Sequence, residues 1–466
     1  MMESVTVASD LPELGRRARD ILQESVRHLW HRNTQVALYA DVGPHMLVEG
    51  HGAVVRDIHG KEYIDAAGRL LTSAVGYGRA EIADAMATQA RRLHFCETAE
   101  GHTNLPATLL AAKLAEIAPG NLDVTFFANS GTEANETAMK MAIQCQALRG
   151  HPLRRKVISR NWSYHGATLG SLSVNGIVWE RFRHEPLAPG GHFITQPYCY
   201  RCELGLTYPA CEVQCAKMLE NQILMEGPDS VAAFIAEPIS VPQAVKVPPP
   251  EYWPTIRDIC SRYDVLLIVD EVICGFGRTG KMFCSEHWDL EPDIMTCAKG
   301  ITSGYIPLGS ATATREVADT FWGDEDDQFI HFCTYSGHSV SCAAALANLA
   351  IIEREDLVGH SREMGARLLD GLREFEDRPL VGNVSGLGLL VSVELVADRT
   401  TKRPISKDMS DYLENRFKSM GLLARVSGGS TVYLSPPLVI EPEQVDSVVD
   451  IVGRGLADLA GRFDLA

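Results

Sequence analysis

From residue 123 onward, short apolar runs alternate with amphipathic stretches: "DVTFFAN" (123–129), "RKVISR" (155–160), "HFITQP" (192–197), "SVAAFIAEP" (230–238), "DVLLIVDE" (264–271) and "DIMTCAKG" (293–300). Runs this short, rich in β-branched and aromatic residues, predict buried strands. The stretches between them carry helical periodicity, so each strand is joined to the next by a crossover and the sheet is mostly parallel. Several runs end in a polar or ionisable residue. In open α/β sheets ligands sit outside the carboxyl ends of the strands, so the chemistry is expected there.

The flanks have another texture. Residues 11–40 carry helical signals, "AVVRDIHGKEYID" (53–65) predicts a hairpin around His59-Gly60, and residues 78–119 are largely helical. "SVSCAAALANLAIIERE" (339–355) predicts a strong helix. Strand signals at 386–396, a helix near 407–420, strands within 421–438 and a final helix from Pro442 follow it. The expected organisation is an N-terminal segment, 1–77, contributing to a smaller lobe, a large α/β domain over 78–340, and a smaller α+β domain over 341–466. "VPQAVKVPPPEYW" (241–253) is a proline-rich loop.

Composition narrows the function classes. A net charge of −17 over 466 residues argues against nucleic acid or an anionic membrane as the main partner. No apolar run is long enough to span a bilayer, and the first residues have no secretory character, so a cytoplasmic protein is expected. Twelve cysteines are too sparse for a disulfide scaffold and point to reduced thiols.

Three stretches carry chemistry. In "NSGTEANETAMK" (129–140) a strand runs into Ser130-Gly131-Thr132 and then a helix. A helix start presents unpaired N–H groups and the positive end of its dipole, which suits phosphate; alone, it reads more readily as a capped helix start with no ligand. In "DVLLIVDEVICGFGRTG" (264–280) an apolar run ends in Asp270-Glu271. A carboxylate there needs a cationic partner. Gly275, Gly277 and Gly280 spell G-x-G-x-x-G, which raises a nicotinamide-dependent dehydrogenase as a rival, but that fingerprint should open a helix directly after a strand and here it does not. The third stretch is "DIMTCAKGITSGYIPLG" (293–309), where Lys299 sits among small, mostly uncharged residues. Burial disfavours the ammonium and makes the amine nucleophilic. A phosphate cradle, a carboxylate for a pyridinium nitrogen and a Schiff-base lysine are together the parts that pyridoxal phosphate requires.

With these motifs, and with "YHGATLGSLS" (164–173), "AAFIAEP" (232–238), "LLIVDEVICGFGRTGKMF" (266–283), "PDIMTCAKGI" (292–301), "TYSGH" (334–338) and "LSPPLVI" (434–440), the chain resembles the class III aminotransferases. The resemblance runs from about residue 28 to the end. It implies the fold type I architecture of pyridoxal phosphate enzymes, a large domain with a mostly parallel sheet flanked by helices plus a smaller α+β domain. It implies that Lys299 forms the Schiff base and moves protons, and that Asp270 pairs with the pyridine nitrogen. Val272 would pack on one ring face and Tyr164 on the other, with His165 beside it. Ser130, Gly131 and Thr132 would hold the phosphate, Glu237 would order the site, and Thr334 would reach the phosphate from the partner subunit of a homodimer or dimer of dimers.

The tail "GLLARVSGGSTVYLSPPLVI" is similar to the stretch that carries a mobile arginine in ω-amine:pyruvate enzymes, and Arg425 falls at that position. "RHLWHRNTQ" (27–35) is similar to the same group and to taurine–pyruvate aminotransferase. "RLLTSAVGYG" (69–78) departs from the family, with Leu71 where a pocket-lining tryptophan is usual. The expectation is ping-pong transfer of an amino group from an amine or ω-amino acid to a keto acid, pyruvate first. Decarboxylation, racemisation or amino migration at the same site are the alternatives. Cys199, Cys202, Cys211 and Cys215 form C-x₂-C-x₈-C-x₃-C, a spacing tighter than common zinc modules; reduced structural thiols and no metal are expected.

Overall fold

The computed structural model describes residues 11–41, 43–188, 190–427 and 429–464. The reading of residues 1–10 lies outside them. A seven-stranded sheet is ordered Leu122–Ala128, Gly309–Thr314, Ile294–Cys297, Leu266–Asp270, Val231–Ala236, Lys156–Arg160, Gly191–Ile194. The last five pair in parallel. Gly309–Thr314 runs antiparallel to both its neighbours, so Leu122–Ala128 points the same way as the parallel five.

The central strands are buried on both faces, and their alternation shows how. Phe234, Ala236, Leu267 and Val269 pack with the helices Gln214–Glu226 and Tyr252–Tyr263. Ala233, Ile235, Leu266 and Ile268 pack on the other side with the helix Gly131–Leu148. A strand covered on both sides loses its polar alternation and reads as a continuous apolar run. That is why these strands were evident in sequence. Gly309–Thr314 was not predicted. Its "GSATAT" offers no large apolar residue, and small size is what its place requires: a side chain at Gly309 would stand 2.3 Å from the carbonyl oxygen of Ser130.

The smaller sheets join the ends of the chain. Leu47–His51, Val54–Asp57 and Glu62–Asp65 form a meander whose last strand pairs in parallel with Leu422–Leu423. Val381–Leu387, Leu390–Asp398, Thr431–Leu434 and Arg425–Ser427 make an antiparallel sheet. Against the first of these strands packs the helix Leu357–Arg373, which itself packs against Pro442–Arg462. The strand signal at 386–396 thus resolves into a hairpin turning at Gly388, whose φ of +57° suits the tight turn. Among the described residues, no helix is long and apolar enough to cross a membrane.

Candidate active site

Because six of the seven strands run one way, their carboxyl ends share one edge, and five of them bring polar groups there. Leu122–Ala128 leads into Ser130, the N-cap of Gly131–Leu148. Ser130 Oγ accepts from the Glu133 amide at 3.2 Å, and Glu133 Oε2 accepts from the Asn129 amide at 2.7 Å. Gly131 and Thr132 hold the first helical positions, where an N–H has no carbonyl one turn behind it. The turn is tightly walled. A Cβ on Gly131 would lie 2.8 and 2.9 Å from the methyls of Val272, and one on Gly166 would lie 2.8 Å from the Thr132 side chain.

Asp270 ends the next strand and is almost fully buried. Its Oδ2 accepts from Asn135 Nδ2 and from His165 Nδ1, each at 2.8 Å, and its Oδ1 accepts from the Val272 amide at 3.0 Å. A carboxylate only accepts, so the His165 proton sits on Nδ1. Asn135 also donates to the His165 carbonyl at 2.8 Å and accepts from Thr296 Oγ1 at 2.6 Å. Its amide therefore has one orientation, and Asp270 is held from three directions. Among the described residues, His165 Nε2 is buried with no partner. Sequence reasoning grouped His165 with the cofactor residues and gave Asn135 no role. The available signal was a polar residue facing the sheet from mid-helix. Glu271, its companion in sequence, turns away to accept from the Ser285 amide at 2.7 Å and from its hydroxyl at 2.9 Å. Burial raises its carboxyl to about 7.

Glu237 follows Val231–Ala236. Its Oε2 accepts from Arg160 Nη2 at 3.0 Å and its Oε1 from the Tyr164 amide at 3.0 Å. Arg160 is 1% exposed and stands over Trp253 and Tyr252, 5.6 and 5.9 Å from their ring centres. Glu237 thus pins the backbone that carries Tyr164 and His165. Arg160 was not foreseen, although it closes the run "RKVISR".

Lys299 opens the short 3₁₀ turn Lys299–Ile301, two residues beyond Ile294–Cys297. Its φ is +42°, a strained region for a long side chain and a frequent mark of functional sites. The turn is anchored by buried Asn348, whose Nδ2 donates to the carbonyls of Gly300 and Ile301 at 2.9 and 3.0 Å. Among the described residues the Lys299 amine takes part in no hydrogen bond or salt bridge. Burial lowers it to about 8; Asp270 and Cys274 oppose that shift, while the charges of Arg32 and Arg425 add to it.

The remaining candidates sit farther out. Arg425 is exposed at the start of Arg425–Ser427, and its charge is felt at Lys299, Glu180 and Glu414. Leu71 packs half-buried against a cluster that includes Ile239, Val241, Cys274 and Tyr433. It ends a left-handed run, Gly68 to Leu71, with φ values of +51°, +39°, +68° and +61°. Thr334 is exposed, and Ile330, Phe332 and Tyr335 around it are 73%, 72% and 56% exposed. Gly275, Gly277 and Gly280 lie in turns that lead to the short 3₁₀ segment Cys284–Trp288. No long helix opens on them, and the dinucleotide geometry is not built.

Comparison with known proteins agrees with this geometry. The family described as Aminotransferase class-III matches residues 38–456. The chain is 38% identical over 452 residues to taurine–pyruvate aminotransferase of Bilophila wadsworthia, covering 94% of this chain and 97% of the relative. It is 37% identical over 421 residues to putrescine–pyruvate aminotransferase of Pseudomonas aeruginosa, covering 90% and 91%. It superposes with a TM-score of 0.90, at 37% identity, on the ω-transaminase of Pseudomonas jessenii solved in complex with PMP, over 95% of this chain and 98% of that one.

Proposed function

The chain belongs to the class-III aminotransferases, and from that premise we propose that the strand-end cluster around Lys299 moves the amino group of a primary amine or ω-amino acid to pyruvate. The enzyme is a pyridoxal phosphate-dependent transaminase of fold type I. The observation that carries the site assignment is the pairing of a carboxylate fixed from three directions, Asp270, with an unclaimed buried amine, Lys299, on neighbouring strand ends.

The residues present fit the cofactor. The cradle that a Cβ on Gly131 would fill, with the open amides of Gly131 and Thr132 and Ser130 beside them, suits its phosphate. Asp270 would hold the ring nitrogen. When bound, pyridoxal phosphate supplies a Schiff-base-forming carbonyl and an electron sink for the pair left when a proton leaves the substrate carbon. The protein supplies the rest. Lys299 Nζ would be the amine that holds the cofactor's carbonyl carbon, with water as the leaving group, and once freed would take and return the substrate proton, a task suited to an amine lowered to about 8. Asp270, aimed by His165 and Asn135, would keep the ring nitrogen protonated. Val272 and Tyr164 would enclose the ring. Glu237, through the Tyr164 amide, sets where Tyr164 stands.

Arg425 grips the carboxylate of the keto acid with a guanidinium fork and yields to an uncharged donor. Leu71 lines the donor side of the pocket. A homodimer, or a dimer of dimers, completes the site. The support for it is the exposure of Thr334 amid exposed Ile330, Phe332 and Tyr335, an apolar patch of the kind that marks interfaces. The divisions at 77 and 340 and a cytoplasmic location belong to the same reading.

The test is a panel of amines, ω-amino acids and taurine, with pyruvate and 2-oxoglutarate compared as acceptors. Turnover that stops without a keto acid, and that is faster with pyruvate, is expected. Steady turnover of the donor without any keto acid would overturn transamination in favour of decarboxylation, racemisation or amino migration.

A further inference from the structure

We propose that Cys199, Cys202, Cys211 and Cys215 bind one zinc ion through four thiolates and so fasten the first turn of their loop, which contacts the smaller lobe, to the helix Gln214–Glu226. The spacing alone favoured plain reduced thiols. What changes the reading is where the loop places them. All four line one cavity of about 20 Å³, room for a single ion or water. Its other walls are mainly apolar or aromatic, among them Leu204, Leu206, Val213 and Pro249, and no carboxylate or ammonium lines it. None of the four is in a disulfide.

The backbone explains the convergence. Cys199 and Cys202 bracket the 3₁₀ turn Cys199–Arg201. Cys211 and Cys215 bracket a turn in which Glu212 and Val213 have φ of +46° and +45°, and Cys215 holds the second position of the helix Gln214–Glu226. Two short turns thus present two thiols each to one space, a donor set suited to a closed structural site. Among the described residues no three such side chains stand at ligand distance from a common point, so the ion draws the two turns inward as it binds. Four S–H bonds break, four Zn–S bonds form, and four protons pass to water.

The loop is fixed to the smaller lobe by its first turn. Tyr198 and Arg201 both donate to Glu394, and Lys402 Nζ donates to the Tyr200 carbonyl at 2.6 Å. An ion tying Cys202 to Cys215 would join this contact to the helix that covers the large sheet.

The experiment uses the full-length holoenzyme, expressed without a metal-binding tag in zinc-supplemented medium and purified under reducing conditions. Elemental analysis should find one zinc per chain, and exchange with Co²⁺ should give thiolate charge-transfer bands and the visible bands of tetrahedral cobalt. Cys202→Ser and Cys215→Ser should each bring zinc to background while the cofactor absorbance persists. Protein that contains no zinc and takes up neither Zn²⁺ nor Co²⁺ when excess is added would overturn the proposal, as would a disulfide among the four thiols in the reduced preparation. The cobalt spectrum of the unaltered chain decides the matter even where a serine variant fails to fold, and neither readout depends on transaminase activity.

Discussion

Two of the described lysines, Lys246 and Lys299, have strongly lowered basicity, and they could hardly be used more differently. Lys299 is lowered to about 8 and Lys246 to about 7, both chiefly by burial. Lys246 sits in the proline-rich loop, donates to the Pro242 carbonyl and lies 5.5 Å from the centre of the Tyr198 ring. Its nitrogen is engaged and its surroundings are filled. Lys299 has no such partner, stands on a strained turn with a carboxylate on the adjoining strand, and has small residues about it. A depressed pKa supplies a neutral amine; reactivity also needs an unclaimed lone pair and space in front of it.

That contrast can be broken most directly at Lys299. Lys299→Ala should lower turnover by ~10³-fold or more and remove the visible absorbance of the bound cofactor, read by steady-state kinetics and spectroscopy. Activity near the parent level would end the distinction between the two lysines. Asp270→Asn should cost ~10²-fold in kcat with the fold intact by circular dichroism, because a fixed charge facing the ring is lost.

The pH dependence is smaller. Lys299 must be neutral to attack the incoming carbonyl, so the rate of cofactor uptake by the apo protein should rise about tenfold from pH 7 to well above 8. For both lysines the folded value lies below the usual 10.5, so the unfolded chain binds more protons in between. Apo stability therefore rises with pH from about 7 through the lysine range, and the penalty is fully present below it. Lys246→Met should flatten the first part of that rise in a denaturation series. Its turnover should stay within about threefold of the parent and its stability within ~2 kcal/mol, since replacing a buried charge by an apolar chain is often neutral. A large loss of activity in Lys246→Met would show that the second amine also serves the chemistry.

The sequence made the central sheet legible because strands covered on both faces must be apolar throughout. It marked Lys299 and Asp270 as candidates because ionisable residues at the ends of such strands are costly without a use, and the turn at Ser130 because a strand there runs into a capped helix start. Gly309–Thr314 was hidden by its small residues, which meet a requirement of close approach rather than of burial. Asn135, Asn348 and Arg160 were hidden for another reason. Each acts by orienting another group, Asp270, the Lys299 turn or Glu237, and orientation leaves no periodic mark. The left-handed run through Arg69, Leu70 and Leu71 contradicts local preference, and the segment leading into it is held by tertiary contacts: the Ser435 amide donates to the Ala66 carbonyl at 2.7 Å and its hydroxyl to the Ala67 carbonyl at 3.1 Å.

The single antiparallel strand also has a consequence for the order in which the molecule is made. Leu122–Ala128, which leads into the turn proposed to hold phosphate, is tied to the sheet, among the described residues, only through Gly309–Thr314, where Thr125 and Thr312 meet across 187 residues of chain. Until residue 314 has left the ribosome, the cradle has no sheet to stand on, however early its helix forms. Cofactor capture therefore belongs to no earlier than about the last third of synthesis, and a nascent chain stopped before that strand should remain colourless in the presence of pyridoxal phosphate.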